Sequence, residues 1–257
     1  MSIGGWDAAH PNSTVASGSE WWSLFEAYGG GVFDGIDWDL EGFDNLDSPY
    51  NKVNFSTLEL IHDMSASAKA AGAVVSLVPP QSYFDVTESR FDLRLTNTYL
   101  DFKPDFRYRG RNTYAPLVVW NASLYDFVDL QLYESWSRAA QAIEQLDWDP
   151  AAYLAALVGA MERGWTVDFG AGVARVAVEP KKLVLGFSRG SDSDPEKSVY
   201  IDPSAAAAAF AALPPDRRFR GVMFWNAHLD GGPCWLPNGT QITCDFAAGF
   251  NNFLHVR

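Results

Sequence analysis

Basic residues are scarce in this chain. Nineteen Lys and Arg stand against 32 Asp and Glu, which leaves a net charge of −13 over 257 residues. So acidic a chain is a poor partner for nucleic acid, because binding phosphates requires basic patches. A neutral polysaccharide is compatible with the charge. Long apolar runs are also missing, and no segment approaches the length of a membrane span. The first six residues, Met-Ser-Ile-Gly-Gly-Trp, carry neither a charged n-region nor a long apolar stretch, so no signal peptide is read in this chain. Cysteine is limited to Cys234 and Cys244, close together near the C-terminus. An even pair suggests a local disulfide in an oxidising compartment, with two free thiols as the alternative.

What is present is apolar and aromatic. Hydrophobic residues make up 47% and aromatics 14%, ample for a sizeable core, and the length suits one large barrel domain or two small ones. Ten Trp is a high count; most belong to a core, and two to four are expected at the surface of a groove, where surplus aromatics often form sugar-stacking platforms. Four Asn-x-Ser/Thr sequons occur, at Asn12, Asn54, Asn121 and Asn238. Chance gives about one for this composition, so the excess leans towards a secreted protein.

The most unusual stretch is Phe33-Asp34-Gly35-Ile36-Asp37-Trp38-Asp39-Leu40-Glu41. Asp37, Asp39 and Glu41 lie two apart, so an extended strand points all three to one face, roughly 6.6–6.8 Å between neighbours. Trp38 and Leu40 take the opposite face. Buried together, the carboxyls cannot all ionise cheaply, since desolvation and neighbouring negative charge both raise pKa values. That keeps an acid protonated near neutrality, ready to donate. A solvated strand face is one alternative. A calcium loop is another, but its twelfth position requires a bidentate Glu and here is Ser48.

Around this stretch, strand and helix signals alternate. A helix is predicted over 19–28, stopped by Gly29-Gly30-Gly31, with the Ser23/Glu26 capping-box spacing too far inside to be its start. A second runs from Asn54 to Ala71, with Ser56 and Glu59 fitting a capping box and Gly72 at the C-cap. Strands are predicted at 73–78, 127–133, 182–187 and 221–226. Asp149-Pro150 and Asp202-Pro203 start two further helices, and 246–254 forms a short terminal one. Residues 80–127 make a long connection rich in aromatics (Tyr83, Phe84, Tyr99, Phe102, Phe106, Tyr108, Tyr114), where part of a substrate groove is expected. With the strand ending near Trp6 and the acid strand, six strands are expected in an α/β fold with a parallel sheet.

The run Asp34-x-x-Asp37-x-Asp39-x-Glu41 resembles, without mismatch, the signature of glycoside hydrolase family 18, the chitinase family. Ser2-x-Gly4-Gly5 resembles the element closing that family's third strand, with Trp6 following it. There the glycines keep side chains off the sugar-binding floor. Gln131-Leu132-Tyr133 resembles the Q-x-Y of the sixth strand, although Glu134 stands where those sequences often have Asn. Trp225 resembles the eighth-strand Trp that floors the subsite of the cleaved sugar.

The resemblance implies a (β/α)8 barrel and a substrate-assisted reaction, an exception to the two-carboxylate scheme. Glu41 is then the proton donor, Asp39 and Asp37 its partners, and Tyr133 the group that holds the substrate's acetamido oxygen. Trp225, Gln131, Trp6 and Gly5 bind substrate, while Asp34, Ser2 and Gly4 shape the motif. The implied substrate is chitin or N-acetylglucosamine oligosaccharides, with no metal, no cofactor and a secreted location. An endo-β-N-acetylglucosaminidase on N-glycans and a non-catalytic chitin-binding protein are the alternatives.

Residues 1–257 are expected to form a single catalytic domain that lacks the first two βα units, because the chain begins inside the third-strand motif. The barrel is then incomplete, with strands three to eight. Edges near Ser2 and Phe224 stand unpaired, and the chain is expected to be poorly soluble or oligomeric. Between Phe187 and Gly221 there is no room for the small α+β domain that walls the cleft in many relatives, so a shallow groove and endo action are expected.

Overall fold

The computed structural model describes residues 1–95, 110–134, 136–188, 199–235, 240–243 and 245–254. Its elements in chain order are β1 (Ser2–Gly5), α1 (Gly18–Gly29), β2 (Gly35–Leu40), α2 (Phe55–Ala70), β3 (Val74–Leu77), α3 (Ala115–Asn121) and β4 (Phe127–Gln131). Then come α4 (Arg138–Ala140), α5 (Pro150–Arg163), β5 (Trp165–Asp168), β6 (Val173–Val176), β7 (Leu183–Ser188), α6 (Pro203–Ala212) and β8 (Gly221–Trp225). A hairpin, β9 (Pro233–Trp235) and β10 (Gln241–Thr243), and α7 (Phe246–Leu254) complete the chain.

Six strands form one sheet in the order β1-β2-β3-β4-β7-β8. Every pairing in it is parallel. The fold is mixed α/β, with helices in the crossovers, as parallel strands require. The inner strands β3 and β7 are largely apolar, and Val75, Leu77, Leu183, Leu185 and Phe187 in them and Val128 and Leu130 in β4 are buried. Strands covered on both faces read this way. In α2, Leu58, Ile61, Met64 and Ala68 recur at helical spacing and are buried against the sheet.

Local chemistry sets the helix ends, with two departures from expectation. Helix α1 starts at Gly18, one residue ahead of the expected Ser19, and the internal Ser23/Glu26 pair is, as expected, not its start. Ser17 is its N-cap, and a reciprocal capping box links Ser17 and Glu20. Helix α2 is headed by Asn54, with no side-chain cap bond, so the Ser56/Glu59 pair is not its start. Asp149 and Asp202 cap α5 and α6 through bonds from the Ala152 and Ser204 N–H groups, each ahead of a Pro at the first helical position.

Two antiparallel hairpins, β5–β6 and β9–β10, were not expected from the pattern. Each strand is three or four residues long, too short for alternation to stand out. Between Val199 and Gly221 the described residues hold α6 and a short 3-10 turn. Tyr99, Phe102, Phe106 and Tyr108 lie outside the described residues. The expected disulfide falls there too: Cys244 is not described, and of Cys234 only the backbone is, opposite Ile242.

The outermost strands are β1 and β8, and neither pairs further among the described residues. On the helix side of β8, Phe224 stacks on Phe246, and Phe187 and Phe253 lie against Phe250. Beside β1 the cover is thinner. A groove of about 510 Å³ opens there, lined by Ile3, Trp21, Leu24, Phe25, Phe33 and Trp38 among others. Bare edges and apolar grooves invite pairing with another chain. Sedimentation is therefore expected to show self-association that rises with concentration, and a monodisperse monomer would contradict this.

Candidate active site

Strand β2 lies between β1 and β3, and its side chains divide by parity. Ile36, Trp38 and Leu40 are buried on the helix side, where the Trp38 indole N–H donates to Ser65 Oγ on α2 at 2.9 Å. Full burial of each such apolar side chain contributes about 1.5–3 kcal/mol. With that face anchored, Asp37 and Asp39 must face the other way, and a one-residue slip would exchange the two sets. Glu41 sits one residue beyond the strand and is 8% exposed. Its position is fixed by its backbone. The Leu40 N–H donates to the buried Tyr114 hydroxyl, and His10 Nε2 lies 2.9 Å from the Glu41 carbonyl oxygen. Burial lowers the His10 pKa, which favours a neutral ring that donates its N–H there.

Neighbouring strands bring partners to each acid. Ser76 on β3 donates its hydroxyl to Asp37 at 2.6 Å, and Ser2 on β1 sits opposite Asp37 in register. Gln131, last residue of β4, donates from Nε2 to Asp39 Oδ1 at 2.9 Å and to the Val78 carbonyl at 2.8 Å. Gly4 pairs with Asp39, and a Cβ on Gly4 would come within 1.8 Å of the Asp39 carbonyl oxygen. Gly4 is thus required by a backbone approach at φ +116°, a reason beyond keeping the floor clear. Gly5 shares the positive φ, at +105°, but its added Cβ would meet only Asp39 Oδ2, at 3.9 Å.

A cavity of about 560 Å³ opens at the C-terminal ends of the strands, with Gly4, Gly5, Trp6, Asp39, Glu41, Gln131, Tyr133 and Trp225 around it, while Asp37 and Ser2 lie outside its lining. Asp44, Glu134 and Trp136 complete the lining. Trp6 and Trp136 lie with ring centroids 5.5 Å apart, and the Trp6 indole donates to Asp44 at 3.2 Å. Trp225 is 60% exposed, with its ring on the cavity's rim. Tyr133 stands two residues past the end of β4, because the strand is shorter than expected. Asp34 is exposed at the opposite end of β2 from Glu41 and outside the cavity.

Electrostatics inside the site follow mainly from burial. Burial, reinforced by the charges of Glu41 and Asp37, pushes Asp39 up to about 9. Burial also raises Glu41, opposed by hydrogen bonding with Asp39, Gln131 and Glu134. Asp37 is raised by burial and held back by the Ser76 and Ser2 hydroxyls. The Tyr133 phenol is pushed far up by burial and the nearby carboxylates, so it stays a donor at all working pH.

Two further acids belong to the site's surroundings: Glu134, noted in the sequence only as a departure from Asn, and Asp129, which sequence reasoning missed. Glu134 is 5% exposed beside Glu41, and burial and that neighbour drive its carboxyl well above the ordinary range. Its only sequence signal is that it follows the Q-x-Y run. Asp129, 7% exposed on β4, has a buried Oδ1 with no hydrogen-bond partner and is pushed up to about 8 by burial and the charge of Asp37. No group of His, Cys, Asp and Glu among the described residues is arranged to hold a metal ion.

These shifts determine how stability varies with pH. Unfolded, both Asp39 and Asp129 titrate near about 4. Folded, they keep their protons up to about 9 and about 8. In that window the folded state binds more protons, so stability falls as pH rises. The thermal midpoint is expected to be lower at about pH 8.5 than at about pH 5.5, and Asp129→Asn should flatten that slope. A midpoint that climbs across the interval would contradict the burial of these acids.

Comparison with family models and with curated proteins finds no match. Solved structures do match. The chain is similar to a family GH18 chitinase from Chromobacterium violaceum, with a TM-score of 0.54 and 18% identity over 88% of this chain and 59% of that one. It is also similar to the C-terminal domain of Legionella pneumophila ChiA, with a TM-score of 0.52 and 15% identity over 89% of this chain and 74% of that one. The chain thus spans 59% of the length of the first of these structures. At these identities the likeness is one of fold alone.

Proposed function

We propose that this chain is a chitinase of the family 18 type. It would cleave β-1,4 linkages between N-acetylglucosamine units within the chain, with retention of configuration. The observation that carries the reading is the placement of Glu41 and Asp39, both raised in pKa, in one tryptophan-lined cavity with Gln131 bonded to Asp39.

In this reading Glu41 gives its proton to the glycosidic oxygen. The substrate's 2-acetamido carbonyl attacks the anomeric carbon, and the glycosidic C–O bond breaks. Asp39 accepts a hydrogen bond from the acetamido N–H and offsets the positive charge of the oxazolinium. Tyr133 donates to the acetamido oxygen and holds it for attack. Asp37 shares a proton with Asp39, which frees Asp39 to turn between Glu41 and the substrate. Water then opens the ring, with Glu41 as base. Trp225, Trp6 and Gly5 form the sugar-binding surface.

The proposal extends to the domain. Residues 1–257 form one catalytic unit whose six strands correspond to the third to eighth of an eight-stranded barrel, a reading supported by the unpaired outer edges of β1 and β8. Secretion belongs to the same reading and is supported by the sequons.

A product assay tests the function. Incubation with N-acetylglucosamine oligosaccharides is expected to give shorter oligomers of mixed length from the earliest times. Release of intact N-glycans from glycoproteins instead would favour an endo-β-N-acetylglucosaminidase. Retention on a chitin column with no turnover of either substrate would indicate a binding protein.

A further inference from the structure

Two of the sequons share a geometry that the third described one lacks. The Asn12 side-chain oxygen accepts from the Thr14 N–H at 2.9 Å and from the Thr14 hydroxyl at 2.8 Å. The Asn121 oxygen accepts from the Ser123 N–H at 3.1 Å and from the Ser123 hydroxyl at 2.6 Å. In both, the carbonyl end of the amide is occupied by the hydroxyl residue of the sequon. The Nδ2 end makes no hydrogen bond among the described residues, and both side chains are exposed. These contacts span two residues and are local in sequence, with Asn12 in a connection and Asn121 closing α3 as the cap of a short 3-10 turn that holds Ser123.

Asn54 is exposed as well, but it heads the 16-residue α2 and makes no side-chain cap bond. The hydroxyl residue of its sequon, Ser56, is held in the first turn of that helix, just before the buried Thr57 and Leu58. We propose that Asn12 and Asn121 are acceptor sites for N-linked oligosaccharides, and that Asn54 is not. Asn238 lies outside the described residues and outside the proposal.

The transfer requires a diphosphate-activated oligosaccharide as co-reactant. Nδ2 attacks the anomeric carbon, one C–N bond forms, the C–O bond to the diphosphate breaks, and one N–H proton is lost. Asn12 lies in the connection after β1 and Asn121 shortly before β4, and neither lines the cavity. Modification therefore leaves the cavity open, and the inference stands apart from the proposed hydrolysis.

The test directs the full chain into the secretory pathway of a eukaryotic host behind a cleavable leader, with one acceptor sequon appended at the C-terminus to report access to the transferase. Total cell-associated and secreted chain is collected, so a chain that folds poorly still reports. Enzymatic removal of N-glycans in heavy-oxygen water then marks each former acceptor as a heavy Asp. The expected result is label at positions 12 and 121 and little at 54, with Asn12→Gln and Asn121→Gln each removing one glycan from the intact mass. Absence of label at 12 and 121 while the appended sequon is occupied would overturn the proposal. Labelling of Asn54 to the same extent as the other two would overturn its discriminating part.

Discussion

Glu41→Gln is expected to lower kcat on N-acetylglucosamine oligosaccharides by about 10²–10⁴-fold while KM changes little, the range for loss of one positioned general acid. Gln keeps the volume and can still accept hydrogen bonds at this buried position, but it has no carboxyl proton to give and cannot serve as the base in the second step. Stability separates chemistry from damage. An acid whose pKa is raised by folding destabilises the folded state at pH values above its unfolded pKa. Removing Glu41, which burial raises, should therefore leave the thermal midpoint unchanged or higher near neutrality. A variant that retains activity within tenfold of the parent would remove Glu41 from the acid role.

Asp39→Asn is expected to cost about 10²-fold or more in kcat, comparable to loss of one preorganised electrostatic contact in a buried site. Gln131 fixes Asp39 with a 2.9 Å bond, and an Asn carbonyl could accept that bond, so the side chain should keep its place. What is lost is the negative charge that Asp39, protonated at rest, gains towards a developing oxazolinium when the shared proton passes to Asp37. The effect should fall on the transition state. A cyclic cationic analogue of the oxazolinium should lose affinity for the variant, whereas an unreacted oligosaccharide binds about as before. Equal weakening of both ligands would indicate a binding role for Asp39 and no part in the charge.

The acid line was legible because period two is a local property. Once Ile36, Trp38 and Leu40 anchor one face of β2, Asp37 and Asp39 have no other direction to take. The six parallel strands were legible for a similar reason, since buried apolar runs alternate with capped helices. What stayed hidden depends on contacts remote in sequence. The Gln131–Asp39 bond links residues 92 apart. No spacing rule indicates that Glu134 faces Glu41, or that Asp129 lies near Asp37 without a partner for Oδ1. The Ser17 cap was missed because a helix predicted to begin at Ser19 leaves Ser17 in the preceding connection. Gly4 could be read as a special glycine, but the 1.8 Å approach to Asp39 that demands it appears only once β1 is laid beside β2.

The central claim is that the substrate's own acetamido group is the nucleophile, with Glu41 as acid and then base. Proton NMR of the anomeric signals in the first minutes of hydrolysis, before mutarotation, tests it most directly. Retention, seen as products formed initially as the β-anomer, is expected, together with no cleavage of the matching oligomer whose sugars bear a 2-hydroxyl in place of the acetamido group. Initial formation of the α-anomer, or comparable cleavage of the 2-hydroxyl oligomer, would contradict the account.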